Sequence, residues 1–217
     1  ETADIPAAAI EQAVPWIVQY QRVQCLGGSP LNTFQGVVCD EIILPQSAAE
    51  SGDPGQLVAA ADAWVEALTG QAQFLPGEFA QEALWSFYAR DYITQVSVGG
   101  HDQYFANRGG DEIALRCATA GLKSMLADPH LEMLTLLVRL KRAKPPAARK
   151  LAADHGYRST NAALKDLDKR FADVEAKEPL APRHKTWLKS LRKVKIAPDA
   201  EMTAHLQRVA QANPLFS

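Results

Sequence analysis

Apolar residues return at intervals of three and four along most of this chain and alternate almost nowhere, which confines the backbone to helices that must bury one stripe against each other. The punctuation agrees with that reading. Asp53-Pro54 sets a side-chain acceptor ahead of a proline at the first helical position, where the missing N–H costs nothing; Leu57, Ala61, Trp64 and Leu68 follow before Gly70 supplies a stop. After the Pro76-Gly77 break, the stretch from Phe79 to about Gln95 carries Ala80, Leu84, Phe87 and Tyr88 on one face, with Trp85 and Tyr92 nearby. Asp128-Pro129 repeats the capping device ahead of Leu131, Leu134, Leu137 and Val138, in a helix predicted to end before Pro145-Pro146. Ser159 can cap a helix bearing Leu164, Leu167, Phe171 and Val174, and Asp199 a last one through Leu206 and Val209. Pro6 and Pro15 break the start of the chain into one or two short helices. Only Gln35 to Leu44 and Gln95 to Val98 come under consideration as strands. The expected class is all-α: an acidic, compact multi-helix domain over residues 1–144, with a helical, basic C-terminal region over residues 145–217 that is free to pack on it.

At 217 residues, 47% of them apolar, the chain can bury a core of its own without staples. Cys25, Cys39 and Cys117 are odd in number, far apart and without metal-ligand spacing, so buried free thiols in a reducing, cytoplasmic setting are expected rather than disulfides or a zinc site. His101, His130, His155, His184 and His205 stand singly and call for surface or core roles, and no metal or other cofactor is indicated. No apolar run approaches the roughly 18 residues of a membrane span, and no signal segment opens the chain. It begins at Glu1 rather than methionine, which leaves a removed leader open.

The formal net charge of -2 conceals an asymmetry. Up to Val138 there are 5 Lys+Arg against 17 Asp+Glu, while from Arg139 to Lys195 there are 17 Lys+Arg against 6 Asp+Glu. Such a division bears on partners rather than on fold.

Val96 to Glu112, VSVGGHDQYFANRGGDE, holds two glycine pairs with aromatics between them. Gly99-Gly100 can adopt the positive φ that lets a helix turn, Asn107 can take the left-handed conformation, Gly109-Gly110 can reverse the chain, and Asp111 can cap the next helix. The stretch then reads as helix, elbow, helix, with Tyr104 and Phe105 in the core. A phosphate loop would need other glycine spacing, and His101-Asp102 are neighbours that cannot face each other on a helix, which leaves an enzyme as a minor alternative.

The run Gln95 to Asp111, with its glycine pair and QYFAN segment, followed by Ala114-Leu115 and Gly121 and preceded by Tyr88 and Tyr92, resembles the signature of the bacterial DNA-mimic protein family over about Asp53 to Leu140. Gln95 stands where that family commonly has glutamate. The resemblance implies an all-helical, non-catalytic protein whose acidic face imitates a phosphate backbone and occupies the DNA-binding surface of a protein partner. Asp40, Glu41, Asp62, Glu66, Glu78, Glu82, Asp91, Asp111 and Glu112 are the candidates for that face, with Asp128 and Glu132 nearby, and Gly99, Gly100, Tyr104, Phe105, Asn107 and Gly110 form the structural motif.

The basic stretch Arg183 to Lys195 reads as an amphipathic helix with Trp187, Leu188, Leu191 and Val194 on one face. It carries the alternative of nucleic-acid binding through Lys185, Lys189, Arg192 and Lys193, and equally the prospect of docking on the acidic body of the same chain or of a second copy in a homo-oligomer.

Overall fold

The computed structural model describes residues 37–143 and 162–213, so the expectations resting on Pro6, Pro15, Cys25, Pro145-Pro146, His155 and Ser159 lie outside the described residues. In chain order it runs β1 (Ile42–Pro45), α1 (Gln46–Glu50), α2 (Pro54–Glu66), α3 (Gln81–Arg108), α4 (Glu112–Ser124), α5 (Asp128–Ala143), α6 (Ala162–Lys177), α7 (Leu180–Ser190), β2 (Val194–Ala197) and α8 (Met202–Gln211). The class is all-α, with one two-stranded sheet as its only regular β-structure among the described residues.

The caps follow the chemistry of their residues. Asp53 accepts the Gly55 N–H at 2.8 Å with Pro54 opening α2, and Asp111 accepts the Ala114 N–H at 2.9 Å to open α4. Gly70 does not stop α2; the helix loosens into a π-turn over Ala67–Gln71, and Gln73 takes the positive φ.

Within α3, Gly100 has φ 76 and ψ -179, which is not helical. In a straight helix Asp91 and Arg108 would stand about 25 Å apart along the axis. They are instead 2.9 Å apart, so the chain folds back on itself at Gly100. Inside that hairpin Tyr92 meets Tyr104 edge to face at 5.0 Å, and both are fully buried, whereas Phe105 is only half-buried. Asn107 stays helical, contrary to the expected left-handed turn, because its side chain bonds across the hairpin to Gln95 at 2.9 Å. Gln95 to Val98 are helical as well. Against this hairpin α4 packs closely: a Cβ at Gly121 would lie 2.4 Å from the Trp85 carbonyl oxygen, so only glycine permits the approach.

The basic helix expected through Lys195 ends at Ser190. Leu191 turns extended, and Val194–Ala197 forms β2, paired in parallel with β1 in the register Ile42 to Val194. Asp199 does not simply head the last helix; its carboxylate accepts the Ser47 N–H of α1 at 3.0 Å. Leu164, Leu167 and Phe171 of α6 and Leu188 of α7 share one buried cluster with Leu57, Tyr92 and Leu134.

Candidate functional site

Among the described residues, two regions gather several chemically active side chains at or near the surface. The first is a strip of charge across α2, α3 and α4. Arg90 on α3 bonds Asp62 on α2, and Arg108 at the end of α3 bonds Asp91 at 2.9 Å and lies 3.9 Å from Asp111. Glu66, one helical turn beyond Asp62, is exposed, as is Glu112. Asp62 is buried, and its second oxygen has no hydrogen-bond partner among the described residues. Burial outweighs the adjacent guanidinium and pushes its carboxyl up to about 6, with the negative charges of Glu66 and Asp91 adding to the rise. Arg108 also lies 5.8 Å over the Tyr88 ring.

The remaining acidic candidates go elsewhere. Lys193 holds Asp40 at 2.8 Å and Glu82 at 3.0 Å. Glu78 is buried, and its carboxylate accepts the Leu75 N–H at 2.8 Å. Glu41 is exposed, and Glu132 pairs with Arg170 at 2.8 Å. Of the four basic candidates, Lys193 is therefore spent on carboxylates and Lys185 donates to the Ser51 carbonyl, while Lys189 and Arg192 are exposed.

The second place is the elbow itself. A groove of about 520 Å³ runs between Val96, Val98 and Gly100 on one side and Lys165, Asp168 and Glu175 of α6 on the other. Its apolar lining includes Phe171 and Ala172. Asp168 accepts both the backbone N–H of His101, at 2.8 Å, and its ring Nδ1, at 2.7 Å, so an acid from α6 caps the helical arm that starts after Gly100. Burial would raise the Asp168 pKa, but the hydrogen bonds from the His101 ring and backbone together hold the carboxyl below its ordinary value. Any side chain at Gly100 would carry a Cβ 2.7 Å from the second Asp168 oxygen. Two turns further along α6, Glu175 meets His130 at 2.7 Å and accepts the Leu180 N–H at 3.0 Å. Phe171 lies between these two pairs, its ring edge-on to Tyr92, His101 and His130.

His101 is fully buried, and both ring nitrogens are used, Nε2 on the Tyr92 hydroxyl at 2.9 Å and Nδ1 on Asp168. Its partner lies 67 residues downstream, not at the adjacent Asp102. Ser86 and His184 form a second buried pair at 2.8 Å; burial, with help from Arg90, pushes the His184 imidazole down to about 3. Burial raises the thiols of Cys39 and Cys117, the latter to about 11. The sequence singled out neither Asp168 nor Glu175, and it gave His130 only a surface or core role. Their signal was faint but present: Asp168 and Glu175 flank Phe171 at helical spacing, carboxylates set along the margin of an apolar stripe.

Among the described residues no group of His, Cys, Asp and Glu is arranged to hold a metal ion, and no helix is long and apolar enough to cross a membrane. No curated protein and no solved structure matches the chain. The model of one family, described as DMP19-like protein, matches residues 77–191 and so reaches beyond Leu140 through α6 and α7. That span, from the turn before α3 to the end of α7, is just over half of the sequence and encloses both the hairpin and the groove, and the chain therefore belongs to the DMP19-like protein family.

Proposed function

We propose that this chain is a non-catalytic, cytoplasmic protein-interaction module of the DNA-mimic type, whose acidic body occupies the DNA-binding face of a basic protein partner. Membership of the DMP19-like family supports that reading. The observation that carries it is the strip Glu66, Asp62, Asp91 and Asp111, four carboxylates against the two guanidiniums of Arg90 and Arg108, spread over three helices. A duplex carries one negative charge per roughly 1.7 Å of axis, so an imitation needs carboxylates held in fixed positions rather than merely a low isoelectric point. The arginine clamps supply the fixing, and exposed Glu66 and Glu112 extend the negative edge. A non-catalytic role agrees with His101 locked by both nitrogens and with buried cysteines whose raised pKa leaves little thiolate. Nucleic-acid binding through the C-terminal bases draws less support, since Lys185 and Lys193 are already engaged.

Capture on the immobilised full-length chain from a lysate of its source tests this. A basic DNA-binding protein is expected, its retention falling steeply between about 50 and 300 mM salt as screening sets in. The double variant E66K/E112K is expected to retain less than about a tenth of it, a loss of about 1.4 kcal/mol or more. Retention indifferent to both salt and charge reversal contradicts the proposal.

A further inference from the structure

The elbow groove has chemistry that the acidic strip does not use, and the two share no residue. Asp168 and Glu175 each spend one oxygen on the scaffold: Oδ1 of Asp168 takes both bonds from His101, and Oε1 of Glu175 takes those from His130 and Leu180. The other oxygen of each has no hydrogen bond among the described residues, on side chains that remain 36% and 25% exposed. Two carboxylates aimed by buried donors thus present their second oxygens along one wall of a groove. Seven residues of α-helix set them about 10 Å apart along the axis. Between them the wall is apolar, formed by Phe171 and Ala172 and faced by Val96 and by Val98, which is 78% exposed. Lys165 is the cation on the lining, and it forms no ion pair within 4 Å among the described residues.

We propose that this groove is a docking site for a basic segment of a protein partner, one whose two cationic side chains stand about 10 Å apart and reach Asp168 and Glu175 while its backbone crosses the apolar wall. Charge complementarity selects this occupant. The groove offers two oriented carboxylates against one lysine, and its apolar floor suits the aliphatic stems that arginine and lysine bury beneath their charged heads. Gly100 is part of the device, because its missing Cβ leaves the outer oxygen of Asp168 uncovered. Nothing here depends on imitation of DNA.

The test uses the full chain and a labelled peptide containing Arg-Pro-Pro-Arg, in which the polyproline II rise of about 3.1 Å per residue puts both arginines on one side about 9 Å apart. Fluorescence anisotropy at low salt is expected to show saturable binding, absent for the Glu-Pro-Pro-Glu counterpart. Ala172 is exposed and stands one helical turn from both Asp168 and Glu175, so A172R places a cation beside their outer oxygens and leaves the buried histidines in place. It should weaken binding at least about tenfold, while K165A, removing the opposing charge, tightens it about threefold. E66K/E112K, in the strip, leaves it unchanged. Should A172R fail to fold, E175Q is read in its place: its amide oxygen can still accept from Leu180, and binding should drop about fivefold. No saturable binding, equal binding of the glutamate peptide, indifference to A172R, or loss of binding in E66K/E112K each overturns the proposal. So does a wild-type chain that self-associates through contacts A172R abolishes, since the occupant is then a second copy.

Discussion

Asp91 in the strip leans on Arg108 at 2.9 Å, a cation that solvent reaches, whereas Asp168 in the groove takes its bonds from His101, whose ring is completely buried. The contrast separates two ways of holding a carboxylate. A guanidinium stays charged at every relevant pH, so each clamp in the strip holds for as long as its carboxylate is ionised, and each clamp cancels a negative charge. A buried imidazole orients its carboxylate through hydrogen bonds and ties that orientation to the packing of α6. Changes at the exposed acids of the strip are therefore expected to alter binding more than folding, and changes around the groove's buried side to do the reverse.

Phe171→Ala should produce the largest effect. Phe171 is 4% exposed and its ring touches Tyr92, His101 and His130, so truncation should cost about 3–5 kcal/mol in denaturant unfolding; a loss below about 1 kcal/mol means that α6 is not docked as described. Titration gives the next effect, with opposite signs in the two regions. The folded pKa of Asp62, about 6, lies above its unfolded value of 3.8, so the folded state binds the extra proton and stability declines as pH rises from about 4 to 6. Subtracting the stability profile of D62N isolates this, and the difference should fall by about 2–3 kcal/mol across that window. A flat difference shows that Arg90 compensates the buried charge in full. Asp168 is shifted the other way, and its contribution is present above the unfolded pKa and lost as pH falls through the lower folded one. Carboxyl-carbon NMR should accordingly find Asp168 still ionised where Asp62 is already protonated.

Smaller effects belong to the exposed side of the strip. Arg108→Ala, which removes the two carboxylate contacts and the cation over Tyr88, should cost about 1 kcal/mol of thermal stability, since the guanidinium is partly solvated. E66K/E112K should cost about 1 kcal/mol or less, mainly because Lys replaces Glu112 in the first turn of α4, while capture of the partner falls below about a tenth.

What the residues disclosed in advance was local. Asp53-Pro54 and Asp111 announced the starts of α2 and α4 because a cap is written within four positions, and Gly99-Gly100 marked where the chain turns. The strand β2 left no such trace: in four residues it buries only Ala197, and Leu191 and Val194 happen to continue the helical spacing of α7. Pairing with β1 decides its conformation, and that partner lies about 150 residues away. Distance also hid the site. Asp168 reads as one acid among several on a charged helix until the hairpin presents His101 to it, and Lys193 as one base of a cluster until it reaches Asp40 and Glu82.

If the acidic body occupies a DNA-binding face, this chain and duplex DNA must compete for the captured basic protein. With a labelled duplex bound to that protein, added wild-type chain should lower the anisotropy to that of free DNA, with a potency that weakens as salt rises, and E66K/E112K should fail to do so. An anisotropy that instead increases, as duplex and chain join the same protein together, would mean that the acidic strip meets some surface other than the one that holds DNA.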